Sequence, residues 1–205
     1  MPTTDEILSN LKAIANDFSI LAIIWHIILY AALIALIAKW APTNKQLGIL
    51  ICILLTSVAI MAWINSNPFN GTLFSIATAL CLILIIRTAP NVLSYSQLPF
   101  MVSGILMIAF AMVYPHFVNT NAYFTYLYQS PVGLIPCPTL SIIIGLLLVY
   151  SGFGSAPILI VFIVFGYFYG LFGVFKLGVL LDLFLVFGTS ALLLKYILSI
   201  KSYGA

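Results

Sequence analysis

Charged residues are scarce in this chain. Of its 205 residues, seven are Lys or Arg and four are Asp or Glu, whereas 64% are hydrophobic. So few charges cannot cover the surface of a soluble globular protein, and so few basic residues cannot form a phosphate-binding face. We therefore expect an integral membrane protein with the lipid bilayer as its main partner and no nucleic-acid partner.

Metal-ligating residue types are also few. The chain has two His and three Cys, and no two Cys stand in a CxxC motif. An odd number of Cys in apolar segments argues against a disulfide framework, and haem ligation usually needs a second axial His or Met. We predict no cofactor and no catalytic residue, leave metal binding open, and favour a non-enzymatic role over an enzyme.

Long apolar runs account for most of the chain. A membrane-crossing helix needs about 20 residues, and Pro, Gly and Asn clusters separate the runs. The sequence predicts an all-α integral membrane protein, a bundle of about seven transmembrane helices in one domain over residues 18–205. The predicted runs are 18–39, 47–65, 72–87, 99–114, 138–152, 157–174 and 178–200. Since the third to fifth runs are short and only three residues separate the last two, a six-span bundle is the alternative.

The first 17 residues have a different character. They contain Asp5, Glu6 and Asp17, three of the four acids, which argues against a basic signal peptide. Thr3 and Glu6 match a capping box, and apolar residues follow at helical spacing. Residues 1–17 are predicted to form an amphipathic helix that lies in the membrane interface.

Basic residues predict the orientation, because short loops rich in Lys and Arg stay cytoplasmic. With seven spans and the N-terminus outside, two basic residues lie outside, Lys12 and Lys176. Five lie in the cytoplasm: Lys39, Lys45, Arg87, Lys195 and Lys201. The sequence therefore favours an N-terminus outside and a C-terminus in the cytoplasm.

Asp182 is the only acid after residue 17. An ionised carboxylate is costly in hydrocarbon, so it must face protein or water, or be protonated. Helical spacing places Asp182 on one stripe with Gly178, Thr189 and Tyr196. Two interpretations stay open: a proton or cation site, or an acid that bonds a neighbouring helix or Lys176.

Four other polar residues are candidates for an ion or solute path. His26 and Tyr30 lie one turn apart in the first predicted span, where a single His is more often a neutral hydrogen-bonding partner between helices. Cys137 and Thr139 flank Pro138 at the start of the fifth span. A structural helix start is the favoured interpretation there, and a thiolate ligand is the alternative.

Gly166, Gly170 and Gly173 share one face of the sixth span, and the first two form a GxxxG motif. Such a face predicts close helix packing. The partner is either another helix of the chain or, in a homo-oligomer or larger membrane complex, a second subunit.

Several short motifs resemble an uncharacterised family of small bacterial multi-pass membrane proteins, known as domain of unknown function number six thousand and sixty-four. They are the run 137–139, the run 145–148, the run 177–182 and the early segment from Trp63 to Asn70. The resemblance implies a helical fold in the bacterial inner membrane and no particular activity.

These observations support three classes of function. The leading hypothesis is a channel or carrier component for a small ion or neutral solute, with Asp182 and His26 on the path. The runner-up is a non-catalytic accessory subunit of a larger membrane complex. A membrane enzyme or a haem or quinone protein has less support.

Overall fold

The computed structural model describes residues 3–153 and 156–203. Within them the chain forms nine α-helices, with 3₁₀ turns at Tyr123–Thr125 and Leu180–Asp182 and a two-stranded antiparallel ribbon of β1 (Ser94–Tyr95) and β2 (Tyr150–Ser151). The helices are α1 (Thr4–Asp17), α2 (Ser19–Ile37), α3 (Asn44–Ile64), α4 (Pro68–Arg87), α5 (Leu98–Met112), α6 (Tyr126–Gln129), α7 (Pro136–Val149), α8 (Ala156–Phe175) and α9 (Leu183–Tyr203). The predicted all-helical class is confirmed.

Five helices of the described chain are long and apolar enough to span a membrane. They are α2, α3, α4, α8 and the segment Leu180–Ile200, which includes most of α9. The other two predicted spans are the shorter apolar helices α5 and α7, of 15 and 14 residues. The structure thus supports a polytopic membrane protein, and the count of seven spans stays a prediction.

Local capping explains where the helices begin. The capping box predicted at Thr3 and Glu6 is present at the start of α1, and Thr43 forms a second one with Gln46 at the start of α3. The expected short third run is wrong. Asn67 caps the helix and Pro68 occupies its first turn, so the polar stretch that looked like a loop extends α4 to 20 residues.

Hydrogen bonds made by the loops and by α1 define two ends of the bundle. At the Asp182 end, Asn16 bonds the carbonyl of Phe117 and Thr4 bonds that of Lys176. At the Lys195 end, Leu93 donates to the carbonyl of Pro42, and β1 pairs with β2. The five long apolar helices and the two shorter ones, α5 and α7, run alternately between these ends.

The core of the bundle surrounds α7. Every residue of α7 except Cys137 is buried, and the helix packs against α3, α5, α8 and α9. Gly104 of α5 faces Gly145 of α7, where a Cβ on Gly145 would lie 2.8 Å from the Gly104 carbonyl oxygen. Protein rather than lipid surrounds α7, which explains how so short a helix is accommodated.

Candidate functional site

Asp182 lies at the centre of a buried polar cluster at the Asp182 end. Its side chain is 2% exposed. The Tyr114 hydroxyl donates to Asp182 Oδ1 at 2.7 Å, and Asp182 Oδ2 occupies the space where a Cβ on Gly173 would lie. The carboxyl group is therefore enclosed by residues from the α5–α6 connection, α8 and the turn before α9.

Tyr114 was not identified from the sequence. It is the last residue of the predicted span 99–114 and is separated from Asp182 by 68 residues, so no local spacing pairs them. A Tyr phenol is protonated at physiological pH, so the Tyr114 hydroxyl group donates to the carboxyl group.

Cys137 and Tyr169 extend the cluster into α7 and α8. The Cys137 thiol neighbours the Asp182 carboxyl group and lies 4.0 Å from the main-chain carbonyl oxygen of Tyr169. The Tyr169 hydroxyl donates to Asn70 Oδ1 at 2.9 Å. Two of the sequence-predicted candidates, Asp182 and Cys137, are thus brought together with two tyrosines that the sequence did not single out.

The glycine face of α8 packs inside the chain. Cβ atoms on Gly166, Gly170 and Gly173 would meet Thr189, Val186 and Asp182, respectively. Of the two partners that the sequence left open for this face, the structure places a helix of the same chain there, because α9 and the turn before it fill it. The accessory-subunit hypothesis loses the docking face on which it depended.

Part of the predicted stripe on the last helix also needs correction. Asp182 and Thr189 are buried as expected, and Tyr196 is partly buried. Gly178 lies outside the helix, with a φ of +70°. Because this left-handed conformation suits glycine, the chain turns there before the 3₁₀ turn Leu180–Asp182 that leads into α9.

His26 joins two helices. Its side chain is 1% exposed, with Nδ1 at 2.8 Å from the carbonyl oxygen of Ala22 and Nε2 at 3.0 Å from that of Met112. Tyr30 is 39% exposed and donates to the carbonyl of Leu127. Both side chains attach α2 to other segments, and neither contributes a hydrogen bond to the Asp182 cluster.

Thr139 fixes the entry to α7. Its hydroxyl donates to the carbonyl of Ile135 at 2.7 Å and accepts from the amide of Gly133 at 2.8 Å. Gly133 has a φ of +76° and packs under Trp25. The structural interpretation of the Pro-Cys-Pro-Thr segment therefore accounts for Thr139, while Cys137 faces the cluster.

Lys195 lies at the centre of a second set of polar contacts. The sequence analysis used this residue only to predict the orientation in the membrane. Its ammonium nitrogen lies 2.6 Å from Ser96 Oγ, 2.7 Å from the Leu147 carbonyl oxygen and 2.8 Å from that of Tyr150. Ser96 Oγ lies 3.0 Å from Ser151 Oγ. The amine thus binds the carbonyls at the C-terminus of α7, where the helix dipole favours a cation.

Asp182 and Lys195, the two charged residues between Leu180 and Ile200, lie at opposite ends of α7. Their charges complement the dipole of that helix. Asp182 lies beside Cys137, which belongs to the first turn of α7. Lys195 binds main-chain carbonyls at the last turn of α7. The 14 residues of α7 and the separation of Asp182 from Lys195 both correspond to about 20 Å of helix. The negative charge therefore lies at the positive end of α7, and the positive charge at its negative end.

The chemistry available at the Asp182 end is proton or cation binding by one carboxyl group with phenol and thiol neighbours. Among residues 3–153 and 156–203, no three His, Cys, Asp or Glu side chains are grouped closely enough to hold a metal ion. In comparisons with protein-family models, curated proteins and solved structures, nothing matches this chain.

Proposed function

We propose that the protein is a carrier component of the membrane that binds and moves a proton or another small cation, with Asp182 as the binding group. The observation that carries this proposal is the enclosure of the Asp182 carboxyl group. Its neighbours include the Tyr114 phenol, the Cys137 thiol and the Cα of Gly173.

Apart from the partial positive charge at the start of α7, these neighbours supply no positive charge. A carboxylate removed from water without a basic partner is stabilised by taking up a proton or a small cation. A purely structural acid would gain more from a Lys or Arg at the same place. The nearest Lys in sequence, Lys176, has an exposed side chain, so the interpretation that pairs it with Asp182 has no support.

The apolar middle of the bundle favours a carrier over an open channel. Between the two ends, α7 presents only buried aliphatic residues and Gly145 over the stretch 142–149. An ion that leaves Asp182 therefore needs a movement of the packed helices rather than a permanent polar pore. Thr189, which is buried on the same side of α9, is a further polar group towards the Lys195 end.

We also propose a bacterial inner-membrane location with the Asp182 end outside. Lys39, Lys45 and Arg87 all lie at the Lys195 end, and the positive-inside rule places such residues in the cytoplasm. The resemblance to the uncharacterised bacterial family supports the same compartment. The N-terminus is then outside and the C-terminus cytoplasmic.

Reconstitution into liposomes tests the carrier proposal. An imposed inside-negative potential drives proton entry, which a trapped pH-sensitive dye reports, and radioactive Na⁺ uptake serves as a second probe. We expect wild-type liposomes to take up one of the two ions faster than empty liposomes. Asp182→Asn should reduce uptake to the empty-liposome rate while the melting temperature of the protein stays close to that of wild type.

Asp17→Asn is the matched control, since Asp17 is an exposed acid outside the predicted spans. It should leave uptake unchanged. Wild-type liposomes that take up neither ion, or an Asp182→Asn variant that transports at the wild-type rate, would contradict the proposal.

A further inference from the structure

The second half of α2 separates from the rest of the bundle. The buried residues of α2 lie between Ala22 and Leu29, near the Asp182 end, and from Tyr30 onward every residue is partly or fully exposed. The first half is attached to α5 through His26, and Tyr30, at the start of the second half, is attached to α6. The helix therefore leaves a gap beside α3 over residues 29–40, on the side of the Lys195 end.

This gap is a crevice of about 150 Å³. Leu residues form much of its wall, namely Leu29, Leu33 and Leu36 of α2, Leu47 and Leu50 of α3, and Leu146 of α7. The polar part of its lining lies at the Lys195 end and consists of Gln46, Tyr150 and the half-exposed Trp40. Trp at such a position is typical of the boundary between lipid tails and head groups.

Basic residues lie at the same end of the bundle as the polar end of the crevice. Lys39 directly precedes Trp40, Lys45 directly precedes Gln46, and Arg87 lies at the same end of the bundle. Lys39 and Arg87 are exposed. An apolar crevice with a basic rim combines the two features that a membrane lipid with an anionic head group would recognise, since each nearby Lys or Arg adds attraction for such lipids.

We propose that this crevice, which we call the α2 crevice, binds one acyl chain of an anionic phospholipid. The chain lies against the Leu wall, and the phosphate lies at the rim near Lys39 and Gln46. A phospholipid fits better than a peptide helix, because the crevice is narrow and lined mainly by aliphatic side chains. This proposal does not depend on ion transport by Asp182.

Native mass spectrometry of the purified protein, titrated with phosphatidylglycerol or phosphatidylcholine, tests the α2 crevice. Ala32 lines the crevice, and its neighbour Ala31 is exposed on another side of α2. We expect Ala32→Trp to weaken phosphatidylglycerol binding by about tenfold or more and Ala31→Trp to leave it unchanged. Lys39→Gln should weaken phosphatidylglycerol binding about fivefold and have little effect on phosphatidylcholine.

A second measurement needs no crevice-filling variant. In a protein with Trp25→Phe and Trp63→Phe, the remaining Trp40 should be quenched more strongly by brominated phosphatidylglycerol than by brominated phosphatidylcholine. Equal lipid binding by the Ala31→Trp and Ala32→Trp variants would overturn the proposal. So would equal quenching by the two lipids, or a dimer that dissociates when Ala32 is replaced, because a second copy would then occupy the crevice.

Discussion

The two oxygens of the Asp182 side chain have different surroundings. Tyr114 needs an acceptor at Oδ1, while Gly173 leaves room for a second atom of similar size at Oδ2. Shape and hydrogen bonding can therefore be separated from charge by substitution. The carrier hypothesis requires the charge, whereas a structural role requires only the acceptor and the shape.

Asp182→Asn should preserve stability better than Asp182→Leu. Asn keeps an oxygen that accepts from Tyr114, whereas Leu leaves the buried phenol without a partner, at a cost of about 1–3 kcal/mol. Thermal unfolding in detergent measures the difference.

A second substitution provides the control for this result. Tyr114→Phe added to Asp182→Leu removes the unsatisfied hydroxyl group, so the double variant should be more stable than Asp182→Leu alone. Equal melting temperatures for the Asn and Leu variants would mean that Asp182 faces water, in contradiction to its burial in the cluster.

The sequence identified the rare polar groups but not their partners. Asp182 and Cys137 are conspicuous because acids and Pro-flanked thiols are unusual in apolar runs. Tyr114 and Tyr169 belong to a chain with eleven Tyr, and only the packing of α5, α7 and α8 selects these two. The sequence analysis used only the charge of Lys195. Its main-chain carbonyl partners could not be predicted, because every residue has such a carbonyl.

Helix boundaries depend on capping and on the surroundings of each helix. The start of α4 was missed because Asn67 and Pro68 are equally typical of loops and of first helical turns. The length of α7 has an explanation only when the helices around it are known. In contrast, the glycine spacing of α8 predicted a tight contact that the structure places against α9.

Gly170→Leu should destabilise the contact between α8 and α9. A Cβ at Gly170 would lie 2.8 Å from Val186 Cγ2 and 3.3 Å from the Val186 nitrogen, so a larger side chain must push the helices apart. Overpacking of this kind typically costs about 1–3 kcal/mol. A lower melting temperature and a smaller folded yield are the expected results.

Val164→Leu is the control, because it adds one methylene group to a side chain of the same helix that is 58% exposed. It should leave both quantities unchanged. A Gly170→Leu variant as stable as wild type would show that α8 presents a different face to α9.

The bundle as a whole has two chemically distinct ends, and their separation across the membrane is testable. Tyr123 is 87% exposed at the Asp182 end, and Val92 is 71% exposed at the Lys195 end. In a background with Cys52, Cys81 and Cys137 replaced, an impermeant maleimide should label Tyr123→Cys on intact bacterial spheroplasts. Val92→Cys should react only after the membrane is permeabilised.

Labelling of both sites on intact spheroplasts would contradict the alternating arrangement of spans. The inverse pattern would keep the arrangement and reverse the orientation. The sequence predicted where most of these spans lie because apolar runs are long and the breaks contain Pro, Gly or Asn. It could not predict the β1–β2 ribbon, since a two-residue strand leaves no periodic pattern.

The position of Asp182 and Lys195 at the two ends of α7 has a consequence for biosynthesis. During translation α7 emerges before Asp182 and Lys195, and it is shorter than the usual span of about 20 residues. Until the last segment is made, both ends of α7 lack the charges that compensate its dipole, and α8 and α9 do not yet shield it from lipid. Stable insertion of α7 should therefore be a late, post-translational event that the arrival of α9 completes.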